Sequence, residues 1–143
     1  MTTDRALLID DEKEFVDTLA ERLRARGLEV EVAYNGPDGI AKARAARFDA
    51  VVLDFAMPGM DGIATLKELL KLNPDLQVML LTGHATIKTA VEATRLGAVD
   101  VLEKPTDINT VMEKIREARA RRLALTDDRA REQVEKALQS RGW

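Results

Sequence analysis

A chain of 143 residues with a formal net charge of −3, 45% hydrophobic and 33% charged residues is one domain's worth of globular protein, long enough to enclose a full core. The acidic balance offers no bulk attraction to nucleic acid or to an anionic membrane, no apolar run approaches the roughly eighteen residues of a membrane span, and Met1 does not lead into a signal peptide, so a cytoplasmic setting is expected. Cysteine is absent, Ser140 is the one serine and His84 the one histidine, which excludes thiolate chemistry, a Ser-His-Asp hydrolase and a multi-histidine metal site.

Along the chain, apolar strand-like runs alternate with segments of helical period. A first strand is predicted over 6–9 and a helix over 12–26, with Phe15, Val16, Leu19 and Leu23 on one face. Gly27 stands where a helix C-cap is expected, and the strand over 28–33 follows. A helix over 37–46 leads to a strand over 50–53. Next come a helix over 62–72, ended by Pro74, and a strand over 76–81. Asp61-Gly62 reads as turn and helix N-terminus chemistry. The helix over 86–96 closes at Gly97. A strand over 99–102 and a helix from near Asp107, with Ile108, Val111, Met112 and Ile115 as its stripe, complete the pattern.

Such an alternation implies a parallel sheet covered by helices on both faces. The runs at 6–9, 50–53 and 78–81 are continuously apolar, as central strands should be. Leu28-Glu29-Val30-Glu31-Val32 alternates, and the fifth run carries Asp100 and Glu103, so both read as edges. The predicted fold is therefore α/β and doubly wound, a (βα)5 arrangement with a five-stranded parallel sheet in the order 2-1-3-4-5.

In this fold, ligands bind beyond the carboxyl ends of the strands, where the strand order reverses. Strand one ends in Asp10-Asp11, strand three in Asp54, strand four in Thr82 and strand five in Lys104. Clustered carboxylates repel unless a cation intervenes, and oxygen donors without histidine or cysteine favour Mg²⁺. A carboxylate beside Mg²⁺ can attack phosphorus and become an aspartyl phosphate, with a nearby lysine offsetting the charge.

Asp10-Asp11, Asp54-Phe55-Ala56-Met57-Pro58-Gly59-Met60-Asp61-Gly62, Leu81-Thr82-Gly83-His84-Ala85 and Glu103-Lys104-Pro105 resemble, in order and spacing over residues 5 to about 122, the bacterial response-regulator receiver domain. The resemblance implies a phosphoacceptor at Asp54, with Mg²⁺ held by Asp10, Asp11, Asp54 and the backbone carbonyl of Ala56. It implies Thr82 as the switch hydroxyl, Lys104 as the lysine facing the phosphoryl group, and a cis Lys104-Pro105 bond. The expected donor is a histidine kinase or phosphotransfer protein of a two-component system. The chain would be a self-phosphorylating and self-dephosphorylating acceptor, not a turnover enzyme. Ala56 and His84 resemble the family's tuning positions for phosphoryl lifetime. Val101 stands where the family commonly has an aromatic residue, so an aromatic rotamer switch is excluded.

A magnesium-dependent phosphatase of haloacid dehalogenase type would need a second aspartate two residues after Asp54, where the chain has Ala56. The other rival, an interaction module that has lost its chemistry, would not be expected to keep all five site residues. The receiver unit is expected over 1–122, with 123–143 a helical extension too short for an output domain. The chain is thus read either as a single-domain regulator or as the receiver piece of a larger one. Ala130, Val134, Ala137 and Leu138 recur at helical spacing, and Thr126, Asp127 and Asp128 are candidate caps, so either a new helix begins there or the fifth continues. The C-terminal helix is expected to pack back on the domain, pair with a second copy or dock on a partner. A homodimer through the fourth helix, fifth strand and fifth helix, or through the C-terminal helix, is one of the options, without nucleic-acid or membrane binding by this segment. Arg116, Arg119, Arg121 and Arg122 read as a solvated helix face.

Overall fold

The computed structural model describes residues 3–55, 57, 61–83 and 86–140. Five strands and five helices alternate through them: β1 (Arg5–Ile9), α1 (Lys13–Ala25), β2 (Glu29–Ala33), α2 (Gly36–Ala45), β3 (Ala50–Leu53), α3 (Gly62–Leu72), β4 (Val78–Thr82), α4 (Ile87–Arg95), β5 (Asp100–Glu103) and α5 (Ile108–Ser140). The strands pair in parallel in the order β2-β1-β3-β4-β5, as the apolar runs predicted.

Strand period builds the two halves of the core. Leu8, Val52 and Met79 face one way and pack with Val16, Leu23, Val111 and Ile115 of α1 and α5. Leu7, Val51, Leu53 and Leu80 face the other way, against Leu66 and Leu69 of α3 and Ala93 of α4. Each fully buried leucine contributes roughly 1.5–3 kcal/mol through surface removed from water. With both faces covered, the open ground for polar chemistry lies at the strand ends.

Local signals set the helix ends. Asn35, Asp61 and Thr86 each accept a backbone N–H three residues on, capping α2, α3 and α4. Gly27 and Gly97 stop α1 and α4 with φ of 92° and 109°, which a side chain would disfavour. Beyond them, Leu28 N–H returns to Leu23 O and Ala98 N–H to Ala93 O, closing each helix in a Schellman motif. The Lys104-Pro105 peptide is cis.

At its C-terminal end the structure chooses between the sequence alternatives. Helix α5 runs unbroken for 33 residues, about 50 Å at the helical rise. Thr126 does not start a new helix: its hydroxyl donates back to Arg122 O at 3.0 Å, as a threonine inside a helix does. Arg116 and Arg121 are exposed, as expected of a solvated face, whereas Arg119 and Arg122 are half-buried. Arg119 pairs with Asp4 at 3.1 Å, Arg121 donates to Gln77 at 3.0 Å, and Arg122 pairs with Asp49 at 2.6 Å. These partners lie at or near the amino ends of β1, β4 and β3, and α5 passes beneath the sheet there.

Candidate functional site

Backbone register brings the polar strand ends together. Each of the next residues continues the ladder by one bond: Asp10 N–H to Ala33 O, Asp54 N–H to Ile9 O and Lys104 N–H to Thr82 O, at 3.0, 2.8 and 2.7 Å. Since Ile9 pairs with Leu53, Asp10 and Asp54 emerge side by side at the carboxyl edge. This edge is the switch point, where β1 is flanked by β2 and β3.

Asp10 and Asp54 are each 4% exposed and Thr82 is 2% exposed. Lys104 reaches in from the β5 side with its side chain 10% exposed. Its ammonium bonds Asp10 Oδ2 at 2.7 Å and Glu12 Oε1 at 3.0 Å, and lies 3.8 Å from Asp54 Oδ1. The ring of Phe15 lies 4.5 Å from the same nitrogen, a cation–π contact that shields it from water on that side. Asp10 also accepts the backbone N–H of Glu12 at 2.9 Å.

The electrostatics follow from burial against pairing. Burial pushes the Asp10 carboxyl above its ordinary value, aided by the charge of Glu12 and only partly offset by Lys104 and the Glu12 N–H. Burial alone would lower Lys104. Its bonds to Asp10 and Glu12 and the charge of Asp54 outweigh that and hold it raised, so the ammonium stays charged.

Asp10, Asp54, Thr82 and Lys104 thus reach one sheet edge, as expected. Asp11 is half-buried and is not one of the three carboxylates whose oxygens lie within 4.8 Å of one another; those are Asp10, Glu12 and Asp54. Ala56 and His84 lie outside the described residues. Glu12 was not singled out in the sequence, although it is the third acid in the run Asp10-Asp11-Glu12. Phe15 was read only as part of a core stripe. An all-oxygen donor set of this compactness suits a hard divalent cation, with water filling its remaining positions. The residues present therefore fit Mg²⁺.

The floor of the acceptor loop is backbone. Gly62 N–H donates to Phe55 O at 2.9 Å, drawing the start of α3 beneath the residue after Asp54. A Cβ on Gly62 would meet Phe55 Cα and O at 2.5 Å and Asp54 O at 2.6 Å. Only glycine permits this approach.

Comparison with known proteins points the same way. Residues 6–116 match the family model of the response regulator receiver domain. The transcriptional regulatory protein ZraR of Salmonella typhimurium is 41% identical over 114 residues, covering 80% of this chain and 26% of that protein. The chain thus spans about a quarter of the length of that relative. A receiver domain protein of Methanospirillum hungatei superposes with a TM-score of 0.80 at 28% identity, covering 86% of this chain and 98% of the other. A response regulator of Burkholderia pseudomallei, solved with a phosphorylated aspartic acid, calcium ion and citrate, superposes with a TM-score of 0.75 at 30% identity, over 90% and 74% of the two chains. No helix among the described residues is long and apolar enough to cross a membrane.

Proposed function

The chain belongs to the response regulator receiver domain family, and we propose that it is the phosphoacceptor of a two-component system, with Asp54 taking the phosphoryl group. The observation that carries this reading is the buried Asp54 carboxylate at the switch point, with the Lys104 ammonium 3.8 Å away and Asp10 and Glu12 beside it. The donor is a phosphohistidine on a histidine kinase or phosphotransfer protein. An Asp54 oxygen attacks phosphorus, the P–N bond breaks as the new O–P bond forms, and the imidazole leaves and takes up a proton from water. Lys104 offsets phosphoryl charge, and the Thr82 hydroxyl donates to a phosphoryl oxygen. Asp10, Asp11, Asp54 and the Ala56 carbonyl are the proposed Mg²⁺ ligands. Bound Mg²⁺ supplies charge neutralisation for the phosphoryl group. The protein is an acceptor that later loses its phosphoryl group to water, not a turnover enzyme.

Residues 1–122 are the receiver unit in this reading, and 123–143 the C-terminal extension, of which 123–140 continue α5. A cytoplasmic location follows from the kinase partner. Near the site, an apolar groove between α1 and the start of α5, lined by Phe15, Leu19 and Ile108, offers a donor protein a place to rest. Output works through protein contacts. Ile87 and Val91 of α4 are 86% and 44% exposed, and Leu123, Val134 and Leu138 of α5 are 45%, 58% and 40% exposed. A homodimer through α4, β5 and α5, or through the end of α5, would cover one of these sets. Incubation with acetyl phosphate and Mg²⁺ should add one phosphoryl group, and Asp54→Asn should abolish the addition. An unchanged yield in that variant removes the assignment.

A further inference from the structure

Glu12 occupies the N-cap position of α1 yet makes no side-chain cap bond. Asp10 Oδ1 receives the Glu12 N–H instead, and the Glu12 carboxylate turns to Lys104, 92 residues away in sequence, at 3.0 Å. An ammonium has three N–H donors. Here Asp10 and Glu12 hold two of them, while Asp54 Oδ1 at 3.8 Å lies outside hydrogen-bond reach. Resting on the proposed phosphoacceptor role of Asp54, we propose that Glu12 is a positioning residue acting through Lys104. It holds the ammonium short of Asp54 in the unphosphorylated protein and releases it when the phosphoryl group arrives.

Two further observations make the contact a reversible latch. A Glu12 oxygen lies within 4.8 Å of one on Asp54, so a phosphoryl group on Asp54 brings more negative charge towards Glu12 and repels it. The Glu12 side chain is 62% exposed, whereas Asp10 and Asp54 are 6% and 5% exposed. Glu12 is therefore the one member of the trio that can turn into water with little desolvation to reverse. Lys104, freed from it, keeps Asp10 and gains a phosphoryl oxygen. The latch slows charging of Asp54 without preventing it, because an ion pair whose carboxylate is 62% exposed is screened by water and weak.

The test uses the full chain with Glu12→Gln, which keeps the side chain's size, and Glu14→Gln, which makes the same charge change on an exposed neighbour. In the unphosphorylated protein, the Lys104 Nζ resonance should shift in Glu12→Gln and stay in place in Glu14→Gln. At saturating Mg²⁺ and about 0.5 M salt, where long-range steering of an anionic donor is screened, Glu12→Gln should take up phosphate from acetyl phosphate roughly two- to fivefold faster. Glu14→Gln should match the wild type. Equal acceleration in both variants, or a Lys104 resonance indifferent to Glu12, overturns the proposal. A wild type that is never labelled would defeat the phosphoacceptor reading itself, while the resonance comparison still judges the latch.

Discussion

Lys104 Nζ lies 2.7 Å from Asp10 Oδ2 and 3.8 Å from Asp54 Oδ1, so the site's buried cation leans on the carboxylate beside the proposed acceptor. Asp10 carries the electrostatic strain of that contact, its carboxyl raised by burial despite the ammonium beside it.

That strain has a sign that can be measured. The Asp10 carboxyl is raised above 3.8 by burial, despite Lys104, so the folded protein takes up this proton before the unfolded chain does. Its contribution to stability is fully present below the unfolded value of 3.8 and is lost as pH rises through the raised value. Urea unfolding in chelator should therefore show the wild type gaining on Asp10→Asn as pH falls from neutral. Added Mg²⁺ should reverse the comparison at pH 7. At ten times its dissociation constant it stabilises the wild type by roughly 1.4 kcal/mol, and Asp10→Asn should gain less. Equal stabilisation of both proteins would remove Asp10 from the cation site.

Gly62 tests the acceptor loop from beneath. The atoms that a Cβ would meet belong to the backbone of Asp54 and Phe55, and backbone cannot turn aside as a side chain can. Gly62→Ala should cost about 1–3 kcal/mol by overpacking and should also slow labelling from acetyl phosphate. Gly27→Ala is the contrast. It has open space around it but a φ of +92°, so it should cost stability of about 1–2 kcal/mol and leave labelling unchanged.

Much of this was legible in the sequence because the strands announce themselves. Three continuous apolar runs against two mixed ones gave the sheet order, and a strand's last residue must point polar groups beyond the sheet. Asp10, Asp54, Thr82 and Lys104 could be brought together on topology alone. Glu12 could not, because its partner Lys104 comes from another strand end and the contact depends on how a long side chain turns. Arg119 and Arg122 of α5 depart from the solvated face for a related reason. Helical period marks Arg119 and Arg122 as polar positions but says nothing of Asp4 and Asp49 waiting under the sheet.

Asp49 is where that missed network weighs most. It is 5% exposed and accepts the Arg5 N–H at 2.7 Å together with Arg122 Nε and Nη2 at 3.0 and 2.6 Å. Asp49→Ala leaves a backbone donor and a guanidinium without this partner and should cost about 2–4 kcal/mol in urea unfolding. Glu68→Ala, which breaks the exposed Lys71 pair at 3.0 Å, should cost under about 0.5 kcal/mol. Similar losses in the two variants would show that the Arg122 clasp carries little of the fold.

The end of α5 makes the remaining prediction. Its buried side chains stop at Ala118, and further along the body holds it through Arg122 and through Arg129, which pairs with Asp75 at 2.6 Å. Past Arg129 every described residue is exposed. A helix without tertiary contacts is marginal at this length, so these turns need a partner to persist. Ala130, Val134 and Ala137 follow a four-then-three spacing that places them on one seam, with Leu138 beside it. Two copies meeting there would bury the exposed Val134 and Leu138. Amide exchange after Arg129 should accordingly be fast in dilute solution and slow as concentration rises, in step with a dimer seen by sedimentation. Ending the chain at Leu125 should abolish that dimer while leaving phosphorylation of Asp54 intact. Fast exchange at every concentration, with the same oligomeric state in both lengths of chain, would show the last turns to be a frayed terminus.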